Sequence, residues 1–203
     1  MSHDLHRHPP TDQNFSLENN FSAQQPVQNP EPTPPQNPDP INASVVMLIG
    51  VPGSGKSHLA EKILSRHPHS AEIISPDLIR QILYGNAAIQ GEWSEVWQEV
   101  QNAFASAARR QKTVIYDATN YQRAYRQDMI NLGRRCGFRR VTGIWLNVPL
   151  WICLSRNESR SRQVPEEIII EMYRHLVFNP PTLDEGFAAL LVNDDKLDED
   201  WID

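Results

Sequence analysis

The chain has 203 residues, enough for one domain with a real core, and a formal net charge of −6. No apolar run approaches the ~20 residues of a membrane-spanning helix, and the start has neither the basic residues nor the apolar stretch of a secretory signal. These features exclude a membrane partner and point to the cytoplasm. There, Cys136 and Cys153, which lack metal-ligand spacing, are expected as reduced thiols, although a disulfide between them stays open.

Residues 1–43 hold nine of the sixteen prolines, set among Gln, Asn and Ser with few aliphatic residues. Such a segment has too little apolar surface to offset its ordering entropy, so it reads as a disordered tail, with a docked protein partner as one possible use. His3, His6 and His8 within it read as solvated polar residues, not as metal ligands. Residues 44–193 form the expected domain, and 194–203 an acidic C-terminal tail. Between 44 and 183 there are 17 Lys and Arg against 12 Asp and Glu, while the last 20 residues carry one Lys and eight acids. The body is therefore basic, as suits a polyanionic ligand.

Val45 to Ile49 is short, β-branched and wholly apolar, the pattern of a buried parallel strand. Gly50-Val51-Pro52-Gly53-Ser54-Gly55-Lys56-Ser57 follows, then His58 to Leu64 at helical spacing. Strand, glycine-rich turn with Gly-Lys-Ser, and helix is the context of a phosphate-binding loop. Glycines let successive N–H groups turn toward an anion, and the helix adds its positive dipole end. Gly50 to His58 are thus expected to bind a nucleoside triphosphate, with Lys56 on the β- and γ-phosphates and Ser57 on Mg²⁺.

Ala71 to Ile74 reads as a second strand, and Ser75 as the N-cap of a helix opened by Pro76 and ended by Gly85. Glu92 to Lys112 reads as an amphipathic helix with Trp93, Trp97, Val100 and Phe104 on its buried stripe. Trp93 and Trp97 have the spacing of core residues, with base stacking as the other reading. Thr113 to Tyr116 is a third strand, leading through Asp117-Ala118-Thr119-Asn120 into a helix at 121–135. Strand four spans 140–148. Helices are expected from Pro149 to about Arg160 and from Pro165 to about Val177, and strand five at 187–192. This alternation predicts a three-layer α/β domain with a five-stranded, mostly parallel sheet whose ligands gather at the strands' carboxyl ends.

The polar candidates fall at those ends. Asp77 and Arg80 sit near a first helical turn, where a carboxylate can accept a hydroxyl proton and a cation can hold an anionic acceptor. The helix dipole alone also favours such an acid. Asp117 has two readings, a magnesium-bound water or a capping turn, and Thr119 and Asn120 are candidates to orient substrate. Arg156 and Arg160, four apart, are expected on one helix face of an arginine-bearing lid, with Arg162 just beyond. Arg134, Arg135, Arg139 and Arg140 surround a helix C-terminus, where dipole complementarity accounts for them and a nucleic-acid track is the alternative.

GVPGSGKS, SPDLIR, DATN, NVPLWICLSRNESRSRQVPEE and PPTLDEGF, in this order, resemble the P-loop kinases grouped around the polynucleotide 5′-hydroxyl kinase domain of phage and bacterial RNA-repair enzymes and the zeta-toxin-like kinases. The resemblance runs from about Val45 to Val192. It implies the P-loop NTPase kinase fold and an ATP- and Mg²⁺-dependent phosphotransferase, with Asp77 as general base toward a 5′-hydroxyl. It further implies Arg80 on the acceptor phosphate, and Arg160 with Arg156 nearby on the transferring phosphates. Asp117 matches a position that shifts by one between members, and Arg162 has no firm counterpart. A phosphatase or ligase domain, present in several members, is not attached here. Related kinases acting on sugars, sugar nucleotides, small metabolites or aminoacyl-tRNA are the first alternative. A nucleotide-binding switch without transfer is the second.

Overall fold

A computed structural model describes residues 43–193. The rest of the Pro-rich segment, its three histidines and the acidic residues 194–203 lie outside the described residues. Five strands form one sheet: β1 (Val45–Ile49), β2 (Ala71–Ile74), β3 (Thr113–Asp117), β4 (Val141–Leu146) and β5 (Ala189–Asn193). Their order is β2-β3-β1-β4-β5, and every pairing is parallel. The expected mostly parallel sheet is thus parallel throughout.

Among the described residues the helices are α1 (Lys56–Arg66), α2 (Pro76–Tyr84), α3 (Trp93–Arg109), α4 (Arg123–Arg135), α5 (Leu150–Glu158) and α6 (Glu166–Phe178), with a 3-10 turn at Leu183–Glu185. β1 connects across the sheet to β2, whereas later crossovers run the other way. With right-handed crossovers, α1 covers one face and α3 the other. The central strands β1 and β3 carry the core. Val45, Met47, Leu48, Ile49, Val114 and Ile115 are fully buried, each worth about 1.5–3 kcal/mol of burial. No helix among the described residues is long and apolar enough to cross a membrane.

Several boundaries depart from expectation for identifiable reasons. Ser75 is the N-cap of α2, with Pro76 next, but its side chain makes no capping hydrogen bond. The buried stripe of α3 is Val96, Val100, Phe104, Ala107 and Ala108. Trp97 is half-buried against the core, whereas Trp93, in the first turn, is 51% exposed, so it is not the core residue its spacing suggested. Arg134, Arg135, Arg139 and Arg140 sit at the amino end of the sheet, where the Val45 N–H donates to the Arg140 carbonyl. That end is opposite the phosphate loop. No disulfide joins Cys136 and Cys153.

The region after α6 is held by a pair that the sequence pattern conceals. Arg126 of α4 is fully buried and donates through Nε and Nη2 to both carboxylate oxygens of Glu185, each at 2.7 Å. Its remaining N–H groups reach the carbonyls of Asn120, Tyr121 and Asn179 at 3.1–3.3 Å. One guanidinium therefore joins α4, the turn after β3, the end of α6 and the 3-10 turn before β5. Removing one member of a buried pair leaves the other charge unpaired, so Glu185→Ala should lower stability by about 3–5 kcal/mol. Arg126→Met/Glu185→Leu should recover only part of that, because three carbonyls still lack their donor. Urea unfolding of the three proteins checks this, and a double variant as stable as wild type would contradict it.

Candidate active site

The loop between β1 and α1 has the backbone that its glycines permit. Gly53 and Gly55 sit at φ 83° and 97°, angles that side chains with a Cβ rarely adopt. A Cβ on Gly53 would also collide with the Cys153 carbonyl, so the loop lies directly against α5. Lys56 opens α1 and curls back into the loop. Its Nζ donates to the Val51 carbonyl at 2.8 Å and reaches Ser54 Oγ at 3.4 Å. Burial pulls the Lys56 ammonium down from 10.5 to about 8; Asp117 opposes the shift and the positive charge of Arg160 adds to it. A buried cation with a lowered affinity for its proton is a site prepared for an anion. His58, the third residue of α1, is exposed.

Ser57 and Asp117 meet on the other side of Lys56, the Ser57 hydroxyl donating to Asp117 Oδ2 at 2.7 Å. β1 and β3 pair in register with Leu48 opposite Asp117, which brings the carboxylate to the foot of the loop. A hydroxyl and one carboxylate are hard oxygen donors of the kind that hold Mg²⁺ beside phosphate. Thr119 is half-buried, and its carbonyl accepts the Gly50 N–H at 3.0 Å. Asn120 departs from its expected place. It is buried, in the left-handed region at φ 48°, and its amide donates to the carbonyls of Leu48 at 2.7 Å and Ala118 at 3.3 Å. Asparagine tolerates that conformation, so its amide ties the turn after β3 to the end of β1 instead of facing a substrate.

The acid on the next strand end lies in the open cleft. Asp77, 53% exposed at the start of α2, accepts a hydrogen bond from Arg80 Nη1 at 3.0 Å on Oδ1 and pairs with Arg162 Nη1 at 3.2 Å on Oδ2. Arg80 is held from behind. Its Nε donates to the Gln90 carbonyl at 3.3 Å, and its guanidinium lies 5.8 Å from the Trp93 ring centroid. Its Nη2 has no partner among the described residues. The sequence pattern groups Arg162 with Arg156 and Arg160 as lid arginines over the triphosphate; in the structure its partner is Asp77.

The lid differs from the expected continuous helix face. α5 ends at Glu158, so Arg156 is exposed on its last turn while Arg160 stands in the loop beyond. The reason is Asn157, which is buried and exchanges two hydrogen bonds with the backbone of Val164. Its Nδ2 donates to the Val164 carbonyl at 2.8 Å, and the Val164 N–H donates to its Oδ1 at 3.0 Å. Gln163 Nε2 adds a bond to the Glu158 carbonyl at 2.7 Å. This closed loop sends its arginines to two places: the charge of Arg160 acts on Lys56, and Arg162 reaches Asp77.

Comparison with known proteins fits this geometry. Residues 45–178 match the AAA domain family (AAA_33). A relative from Methanococcus maripaludis, L-seryl-tRNA(Sec) kinase, is 31% identical over 137 residues, covering 64% of this chain and 51% of that protein. The chain thus spans about half the length of that relative. Among solved structures, the Pnkp1/Rnl/Hen1 RNA repair complex is similar in fold at a TM-score of 0.60 and 19% identity, over 67% of this chain and 44% of that one. The Mycobacterium tuberculosis APS kinase CysC, solved with AMPPNP and APS, gives 0.52 and 17%, over 77% and 92%. With a family match over most of the chain, and a phosphate loop, strand-end acids and arginine loop around one cleft, this protein belongs to the AAA domain family of P-loop kinases.

Proposed function

We propose that the chain transfers the γ-phosphoryl group of ATP to an alcohol, and that the preferred acceptor is a polynucleotide 5′-hydroxyl. The observation that carries this reading is the exposed Asp77 carboxylate, in the same cleft as the buried Lys56 and beside Arg80. In the transfer, the acceptor oxygen bonds to the γ-phosphorus as the bond to the β–γ bridging oxygen breaks. Asp77 receives the hydroxyl proton, and ADP leaves. Lys56 and Arg160 hold the charge that spreads over the phosphoryl oxygens, a job for groups already in place before reaction. Ser57 and Asp117 would hold Mg²⁺, which neutralises charge between the β- and γ-phosphates when bound. Gly50 to His58 would carry the triphosphate, Arg80 the acceptor phosphate, and Arg156 the rim of the lid. The location that suits such an enzyme is the cytoplasm.

The identity to a seryl-tRNA(Sec) kinase favours a second reading, in which the alcohol belongs to an aminoacyl group on tRNA. The deciding assay offers γ-labelled ATP with 5′-hydroxyl DNA, 5′-hydroxyl RNA and seryl-tRNA to wild type, Lys56→Ala and Asp77→Ala. Wild type should label an oligonucleotide 5′ end, and Lys56→Ala should not. Asp77→Ala should lose at least 100-fold in transfer, within the range of general-base contributions of about 10²–10⁴, while ATP affinity stays within a few-fold. Full transfer by Asp77→Ala would sink the general-base role. Label on seryl-tRNA alone would move the acceptor to the second reading, and no transfer despite ATP binding would leave the switch.

Lys56 supplies a separate check. Above pH 8 its empty-site amine is partly neutral, and phosphate oxygens beside it favour the ammonium form. ATP binding at pH 8.5 should therefore take up a proton, and the uptake should fade toward pH 6.5, where Lys56 is already charged. Calorimetry in buffers of different ionisation enthalpy measures this, with Lys56→Met showing no uptake. Uptake that is equal in the variant would assign the proton elsewhere.

A further inference from the structure

The geometry points to Arg162 as the second jaw of a clamp for the acceptor's phosphate, with Arg80 as the first, so that the acceptor itself draws the lid shut. The inference rests on the kinase reading above, in which Arg80 holds the acceptor phosphate, and adds Arg162 to that side of the site.

Three charges meet at Asp77. Arg80 takes Oδ1 at 3.0 Å and Arg162 takes Oδ2 at 3.2 Å, from α2 and from the α5–α6 loop respectively. One carboxylate between two guanidinium groups leaves a surplus positive charge, which an arriving phosphate would balance. The carboxylate is 53% exposed and the Arg162 side chain 35%, so the group that bridges the arginines is open to exchange. Arg80 is 12% exposed and fixed by the Gln90 carbonyl and the Trp93 ring, with no partner for Nη2 among the described residues. A phosphate that replaces Asp77 between the two forks gains two arginine contacts and frees both oxygens of Asp77 for the hydroxyl proton. Arginine suits both positions because its planar fork binds two oxygens at once.

Arg160 stands two residues earlier in the same closed loop, and its charge falls on Lys56 at the donor site. One loop therefore spans donor and acceptor. A sugar without phosphate satisfies Asp77 but leaves the clamp empty.

The test uses full-length protein with its donor site filled by a non-hydrolysable ATP analogue. Binding of adenosine 3′-monophosphate and of adenosine, both with a free 5′-hydroxyl, is read by calorimetry for wild type, Arg80→Ala, Arg162→Ala and Arg162→Lys. The clamp predicts at least a tenfold loss for the 3′-phosphate in either alanine variant, an intermediate loss in Arg162→Lys, and adenosine affinity unchanged within twofold. Equal losses for both ligands in Arg162→Ala, or 3′-phosphate affinity within twofold of wild type, would overturn it. So would weakening confined to the ATP analogue, which would place Arg162 with the donor. The transfer assay is scored separately. Arginine-dependent binding without transfer would keep the clamp and reject the 5′-hydroxyl kinase, whereas transfer indifferent to Arg162 would do the reverse.

Discussion

The bidentate contact between Arg126 and Glu185 is the constraint on which the rest of the site depends. A guanidinium without solvent is tolerable only where nearly every N–H finds an oxygen, and here the oxygens come from three separate pieces of chain. Two of those pieces matter for chemistry. The Asn120 carbonyl belongs to the turn that leads back to Asp117, and the Asn179 carbonyl follows the helix whose other end supports the arginine loop. The pair touches no reacting atom. Yet it connects the acid at the foot of the phosphate loop to the base of the lid, a reach that apolar contacts could not direct as specifically.

The cleft is crowded with positive charge. Lys56, Arg80, Arg160 and Arg162 stand against Asp77 and Asp117; burial is the main cause of the lowered proton affinity of Lys56, and the charge of Arg160 adds to it. Such an arrangement opposes folding in the absence of ligand and favours a polyanion once it arrives. Stability given up at a functional site has to be recovered elsewhere. The dry core of β1 and β3 and the buried ion pair are where this fold recovers it.

Much of the architecture was legible in the residues. The run from Val45 to Ile49, the glycine loop and the alternation of strand and helix marked the sheet and the end of it where ligands collect. Asp77, Arg80, Lys56, Ser57 and Asp117 do converge there, because in a parallel sheet the strand ends share one edge. What escaped notice depends on contacts distant in sequence. Arg126 lies in a helix where an arginine reads as solvent-facing, and its partner Glu185 is 59 residues on. Asn157 looks like an ordinary helical residue, but it ends α5 and thereby moves Arg160 off the face shared with Arg156. Trp93 has core spacing, yet it sits in the first turn of α3, beyond the edge of the sheet's cover. Asn120 belongs to a motif, and its type suits the left-handed turn and the Leu48 carbonyl as well as it would have suited a substrate.

The loop pinched shut by Asn157 separates two properties that a plain helix–helix connection would couple. Because one side chain holds the ends together, the tip between Glu158 and Gln163 can gain or lose residues without disturbing α5 or α6. The entropic cost of such a change grows only with the logarithm of loop length, roughly 0.6 kcal/mol per doubling. The tip is therefore the part of this protein most free to diverge: its arginines can be respaced to fit a different acceptor while the nucleotide end of the cleft keeps its geometry.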